Sequence, residues 1–439
     1  MTILGLAEST VAPLIRALCI DDAELDRDAI AERFARAAWS AIAEPGDGDA
    51  GHLVAMLGSE ASLGALTRVP WPQTDPEHID VSPLESALAE VGDDGIGHDD
   101  LVDAVKRWRP RVSVPIVLLA LRQAARFGAG LLIPSDPDWP SGVDDLGEHA
   151  PLALWARGDR ALLGRLERSI AIVGARAATG YGEHVTVEAS SGLVDRGFTI
   201  VSGAAYGIDG IAHRAALASA GSTVAFLAGG VDRFYPAGHE ALLTRIVERG
   251  VVVSEVPPGT APTRWRFLQR NRLIAAASQA TVVVEAGWRS GSLNTAHHAA
   301  TLGRPIGAVP GPVTSSASAG CHKLLREGPA VCVTNADEMA ELVSDTDLRP
   351  MVEAPVWELG APRAVSISPA IDPTGTRVRL LDALSERSGR SVTRIGEISG
   401  LAADRVRAEL GLLELEGIVR ELPGGWQKFT DKQLEARRG

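Results

Sequence analysis

The sequence predicts an α/β chain built on a doubly wound parallel sheet, with a helical region before it and a small winged-helix module after it. Three observations carry this reading. Between residues 169 and 333, short apolar runs alternate with segments of helical period and length. The runs are continuous rather than alternating, as suits parallel strands buried on both faces. Glycine-rich turns follow the runs, at the carboxyl ends of the strands and along one edge, where open sheets of this kind bind ligands.

At 439 residues the chain is too long for one core, and two or three domains are expected. Residues 1–128 read as a helical N-terminal region, loosely specified. Residues 29–43 have helical periodicity and stop at Pro45-Gly46, the stretch 69–83 holds four prolines and reads as a linker or irregular loop, and 115–128 reads as another helix. No chemistry is evident there. The central domain spans 129–343. Residues 129–132 supply an extra strand and 151–155 another extended piece. The main runs are Ile170-Ala171-Ile172-Val173, Phe198-Thr199-Ile200-Val201, Thr223-Val224-Ala225-Phe226-Leu227, Thr281-Val282-Val283-Val284 and Ile306-Gly307-Ala308-Val309. Helical segments fall at 183–195, 208–220, 239–249 and 293–302. A proline-rich tether covers 344–373. In 374–430, three helices (376–385, 393–399, 402–415) and a hairpin turning at Gly424-Gly425 make the winged helix.

The net charge of −13 hides an asymmetry. Residues 1–164 carry 13 Lys+Arg against 27 Asp+Glu, whereas residues 165–328 carry 16 against 11, a net of +5. Fifteen of those 16 cations are arginine, whose planar fork suits bidentate phosphate contacts. Solvated surface arginines are the plainer alternative. Cys19, Cys321 and Cys332 form neither a CxxC pair nor an even framework, so a reducing cytoplasm and no metal site are expected. No run approaches a membrane span and no signal core opens the chain.

Gly174-Ala175-Arg176 ends a run and precedes a helix, an arrangement that brings backbone amides near an anion. Ser202-Gly203 with Tyr206, and Gly229-Gly230, are turns of the same sort. Gly174-Ala175-Arg176 is not a GxGxxG, no acidic residue follows the second strand to hold a ribose, and no GxxxxGK[ST] occurs, so neither a dinucleotide cofactor nor P-loop ATP hydrolysis is expected. Arg264, Arg266, Phe267, Arg270, Asn271 and Arg272 place a ring among cations on a helix start, which suits stacked bases and paired phosphates of a single strand. Phe267 filling the core while Asn271 caps a loop fits the spacing equally well. Ser290-Gly291-Ser292 reads as a helix N-cap with a free anion site rather than a serine elbow. Asp209 and His213 stand one helical turn apart. A local structural role, with His213 hydrogen-bonded beneath Asp209, is favoured over a metal or proton relay. Tyr206 and Tyr235 are stacking candidates.

As an ordered set these segments resemble the DNA-processing protein A family (DprA, also called Smf). The resemblance rests on Ile172 to Arg176; Ser202-Gly203 with Gly207-Ile208-Asp209 and Ala212-His213; and Gly229-Gly230 with Tyr235-Pro236. It continues with Phe267, Arg270-Asn271-Arg272, Glu285-Ala286, Ser290 to Leu293, Val309-Pro310-Gly311 and Gly320. It implies an extended Rossmann-like domain, a winged-helix tail, and an N-terminal region comparable to a degenerate SAM-like bundle. It further implies single-stranded DNA binding, a homodimer, loading of the recombinase RecA during DNA uptake or recombination, no cofactor and no catalysis. His322 and Leu268 depart from the Asn and Pro that many relatives carry, and Lys323, the sole lysine of the positive third, is a plausible phosphate contact. Two other readings compete. A nucleotide-processing enzyme of the lysine-decarboxylase-like phosphoribohydrolase type would need a PGGxGTxxE loop, which is absent. A transcription regulator acting through the tail would need a less acidic recognition helix than one holding Asp404, Glu409, Glu414 and Glu416.

Overall fold

A computed structural model describes residues 2–3, 5–19, 25–70, 79–93, 95–328, 330–344, 375–430 and 433. The expected tether at 344–373 therefore lies almost wholly outside the described residues, as does the middle of the proline-rich stretch at 69–83. A short ladder, β1 (Thr2–Ile3) with β2 (Leu6–Ala7), begins the chain. Nine strands then form one sheet: β3 (Gly130–Leu132), β4 (Leu154–Gly158), β5 (Ser169–Val173), β6 (Thr199–Ser202), β7 (Thr223–Leu227), β8 (Val251–Ser254), β9 (Ala280–Val283), β10 (Ile306–Ala308) and β11 (Ala330–Cys332). Their spatial order is β11-β10-β9-β5-β6-β7-β8-β4-β3. Neighbours from β11 to β8 are parallel, and β4 pairs antiparallel with both β8 and β3.

Successive residues of β5 show why its run is uniformly apolar. Ile170 and Ile172 pack with α8 (Gly180–Asp195), α9 (Ile208–Ala218) and α14 (Ala336–Ser344). Ala171 and Val173 pack with α11 (Arg264–Ala277), α12 (Ser292–Thr301) and α13 (Ala319–Glu327) on the opposite face. Helix α10 (Glu240–Arg249) sends Leu242, Leu243 and Ile246 into a third cluster beside Ala225, Leu227 and Val252.

The sequence reading missed two strands. Val251-Val252-Val253-Ser254 is followed by Glu255-Val256-Pro257 instead of a glycine turn, and β11 is a half-exposed edge strand whose short apolar run is followed by Thr334-Asn335 rather than by glycine. The N-terminal region is also better specified than its composition suggested. Helices α1 (Glu8–Arg16), α2 (Arg27–Ile42), α3 (Gly48–Leu57), α4 (Ser59–Arg68), α5 (Ser82–Glu90), α6 (His98–Trp108) and α7 (Val114–Phe127) share one continuous core with the β3, β4, β7 and β8 end of the sheet. Trp39 and Trp108 meet edge to face with centroids 5.3 Å apart. Trp108 donates to Asp47 at 2.9 Å, and Trp155 of β4 donates to Ser40 of α2 at 3.3 Å. The indoles thus fill the core while their N–H groups stay satisfied.

The tail is a winged helix: α15 (Thr376–Ala383), α16 (Val392–Ser399), α17 (Ala403–Leu415) and the hairpin β12 (Val419–Leu422) with β13 (Gly425–Lys428). It has its own core of Leu380, Ile395, Val406, Leu410 and Leu413. Where the three parts meet lies the buried carboxylate Glu44. Arg266 of α11 grips it in a fork, Nε to Oε2 at 3.1 Å and Nη2 to Oε1 at 2.7 Å, and Arg111 approaches at 3.0 Å. Gly400 of the winged helix lies against the same group, leaving no room for a side chain: a Cβ there would stand 2.7 Å from the Glu44 Cγ.

Burial alone would push the Glu44 carboxyl up, but Arg266 and Arg111, with Arg379 behind them, hold it down at about 2 against an ordinary 4.5. Glu44→Ala leaves arginines buried without their counter-charge and should cost about 3–5 kcal/mol in urea unfolding at neutral pH. The depressed folded value makes this contribution complete above pH 4.5 and progressively lost as the pH falls toward 2. The gap between wild type and variant should narrow over that window, and a gap independent of pH would contradict the ionised Glu44.

Candidate nucleic-acid interface

The turns after β5, β6, β7 and β9 lie at the carboxyl edge, and α11, entered from the end of β8, brings its first turns to the same edge. Gly207 joins two of these turns. Its φ is +75°, a Cβ there would stand 2.1 Å from the Ala175 carbonyl, and the next amide, Ile208, donates to that carbonyl at 3.1 Å.

Several expected contacts turn inward instead. Asp209 is buried in the first turn of α9 and accepts from the Ala205 amide at 3.4 Å, with the amides of Gly203 and Gly174 close enough to favour its ionised form. Burial raises its carboxyl, against the pull of the Arg270 guanidinium and those amides. The glycine turns therefore spend amides on an internal carboxylate. The expectation that Gly174 and Gly203 offer them to a phosphate is corrected accordingly. Arg270 is buried too, donating to the carbonyls of Gly203 and Phe226, and a Cβ on Gly203 would collide with its guanidinium. Ser202 donates to the Ile172 carbonyl at 2.6 Å inside the core. Gly229 and Gly230 are buried under the segment 257–262, with the Gly230 amide bonded to the Thr260 carbonyl.

Two arginines of the 264–272 segment are likewise removed from the ligand edge. Arg266 is the partner of Glu44. Arg272 is buried against Glu255, with Nη2 2.6 and 2.7 Å from the two carboxylate oxygens, and the Gly46 amide donates to the same group. Helical geometry explains the error: positions 266, 270 and 273 recur on the buried side of α11, and Arg272 lies beside them. What the three arginines share is a charge matched by a buried partner, which residue type alone does not reveal.

The outward groups form a ridge. Phe267 is half-buried, with the Arg176 guanidinium 5.3 Å and that of Arg270 5.6 Å from its ring, and the Tyr235 ring 5.5 Å away. Tyr235 is 49% exposed and Tyr206 48%, the latter edge-on to His239. Arg176 and Arg264 are exposed. Asn271, one turn beyond Phe267, donates to the Gly291 carbonyl at 3.3 Å and to Asn294 at 3.2 Å, tying the ridge to the serine turn. There Ser290 and Ser292 bond to one another at 2.7 Å, Ser292 is buried, and Gly291 is exposed at the helix N-cap. Lys323 is exposed on α13, while its neighbour His322 donates from Nε2 to the Gly311 carbonyl at 2.9 Å. Leu268 is exposed. Trp288, also exposed, was not singled out from sequence, although its place two residues before the serine turn was a usable signal.

His213 does not lie under Asp209. Its Nδ1 donates to the Thr223 hydroxyl at 2.7 Å, which in turn donates to the Ile200 carbonyl, and Nε2 is buried without a partner. Among the described residues no cluster of His, Cys, Asp and Glu could hold a metal ion.

Residues 130–344 match the family model for DNA recombination-mediator protein A, and residues 365–425 that for the DprA winged helix domain. The chain is 47% identical over 314 residues to the putative DNA processing protein DprA of Mycobacterium tuberculosis, spanning 69% of this chain and 77% of that protein. It is 33% identical over 279 residues to the DNA processing protein DprA of Bacillus subtilis, spanning 64% and 90%. The structure of DNA processing protein A from Streptococcus pneumoniae superposes with a TM-score of 0.51 at 26% identity, covering 70% of this chain and 97% of that one.

Burial, then the nearby charges of His239, Arg270 and Arg214, hold His213 down at about 3 against 6.5. The ring stays neutral in the fold while the unfolded chain takes up a proton, so this residue's contribution is complete above pH 6.5 and lost as the pH falls toward 3. A His213→Gln variant should show a shallower loss of urea midpoint between pH 7 and 5 than wild type. Parallel pH profiles would place the histidine in contact with solvent.

Proposed function

The chain belongs to the DNA-processing protein A (DprA/Smf) family, and from that premise we propose that it binds single-stranded DNA on the aromatic and cationic ridge of the sheet's carboxyl edge. In this reading it protects the strand and presents it, as a homodimer in the cytoplasm, to the recombinase RecA during DNA uptake or recombination. The observation that carries it is Phe267 with the exposed Arg176 guanidinium 5.3 Å from its ring and the exposed Tyr235 alongside. Rings accept any base on their faces and arginines take the phosphates between bases, which suits a flexible strand better than a duplex whose bases are already stacked. The positive balance of residues 165–328 favours the same polyanion. No helix among the described residues is long and apolar enough to cross a membrane.

The groups at the edge also support binding without turnover. Asp209 and His213 are both buried, and their hydrogen bonds go to different partners. A nucleotide hydrolase needs a positioned acid, base or ion open to substrate. Incubation with a panel of nucleotides should release neither free base nor phosphate. Release that vanishes in Asp209→Asn would replace the binding reading with an enzymatic one.

Binding to a single-stranded oligonucleotide should weaken with salt, log affinity falling by about 0.7 per phosphate contacted for each unit of log salt. Arg176→Ala should weaken it by about 1.5–3 kcal/mol with the fold intact. Arg272→Ala, by contrast, should lower thermal stability, because it strands Glu255 in the interior. A salt-independent affinity, or a preference for duplex, would remove the proposal.

A further inference from the structure

Resting on the single-strand reading above, we infer that Trp288 and Lys323 form a second base-stacking platform on this edge, so that the bound strand runs from Phe267 past Asn271 to Trp288. One exposed apolar side chain needs no explanation by itself. Trp288 differs in how it is held and what stands over it. It is 57% exposed, the only tryptophan among the exposed large apolar residues described, and the Lys323 ammonium sits 5.4 Å from its ring.

The loop that carries it is fixed at both ends. On one side the Ala286 amide donates to Ala317 at 2.8 Å and the Gly320 amide donates back to Ala286 at 2.7 Å. Gly320 makes this approach possible, since a Cβ there would stand 2.8 Å from both the Ala286 Cβ and the Gly287 carbonyl. Lys323 follows three residues later on the same helix, so the close approach sets the cation over the ring. On the other side, Asn271 of α11 donates to Gly291, one helical turn from Phe267. The two ring-and-cation pairs thus belong to one rigid frame. An exposed ring held in place loses little freedom on stacking, and a cation beside it meets the phosphate of the stacked nucleotide. The ligand class is a single strand long enough to reach both rings. The exposed Arg289 next to Trp288 adds charge on the same loop.

The test compares the full chain with Trp288→Ala, Trp288→Phe and Lys323→Gln, using fluorescent oligothymidylates of about 4 and about 16 nucleotides. Trp288→Ala should weaken the longer strand about tenfold, the loss of one stack, and leave the shorter strand unchanged. Trp288→Phe should restore most of that loss. Lys323→Gln should weaken the longer strand about threefold and flatten its salt dependence. If Trp288→Ala and wild type bind the longer strand equally while both bind the shorter one, the second platform is wrong and the Phe267 reading stands. If wild type binds neither strand, the single-strand reading fails and this inference goes with it.

Discussion

The arrangement of the three parts turns on one buried charge. Glu44 follows the last turn of α2, Arg266 belongs to α11, Arg111 follows α6, and Gly400 of the winged helix closes over them. A carboxylate so enclosed is costly to bury unless its partners are in place, so its position fixes theirs. That constraint reaches the ligand edge directly. Arg266 is adjacent to Phe267, and the fork that holds Arg266 inward sets the rotation of α11 that turns Phe267 outward. A second buried pair, Arg272 with Glu255, fixes the same helix one and a half turns later, with the Gly46 amide as its third member. The loop 44–47, legible in sequence only as a helix stop at Pro45-Gly46, therefore helps to orient the ridge.

The fold was legible wherever an apolar run and a glycine turn came together. The runs before Gly174, Gly203 and Gly229 became β5, β6 and β7 with ends shifted by a residue or less. Where one half of the signal was missing, as at Val251–Ser254 and Ala330–Cys332, the strand went unread. The candidate site was legible as a segment but not as a surface. Residue type marked Arg176, Arg266, Arg270 and Arg272 alike, yet only Arg176 stands in solvent. The difference is set by Asp209, Glu44 and Glu255, which lie 61, 222 and 17 residues away along the chain from Arg270, Arg266 and Arg272 respectively. No local pattern carries that information. Conversely, the place of Trp288 before the serine turn was legible, whereas the Gly320 contact that fixes its loop was not.

The same structure separates two jobs that one motif had been assumed to share. The glycine turns build an internal cage around Asp209, in which Arg270 balances part of the charge. The rings and remaining cations stand outside that cage. A stiff interior beneath a sparse outer ridge lets the side chains that face solvent keep their positions without contacts of their own.

The winged helix bears differently on the whole. Its apolar core is its own, whereas the N-terminal helices share theirs with the sheet. The joint between tail and body is largely polar. Asp382 of α15 accepts from the Arg264 amide at 2.6 Å and the Trp265 amide at 3.3 Å, Lys106 meets Asp404 at 3.4 Å, and Gly375 rests on the Trp265 ring. Residues up to 344 should accordingly melt as one cooperative unit and the tail as another. Counter-ions compete with the charged part of the joint and leave both apolar cores untouched. Rising ionic strength should then loosen the exposed Lys106–Asp404 pair first, while the buried Glu44 and its arginines, screened far less, keep the winged helix seated.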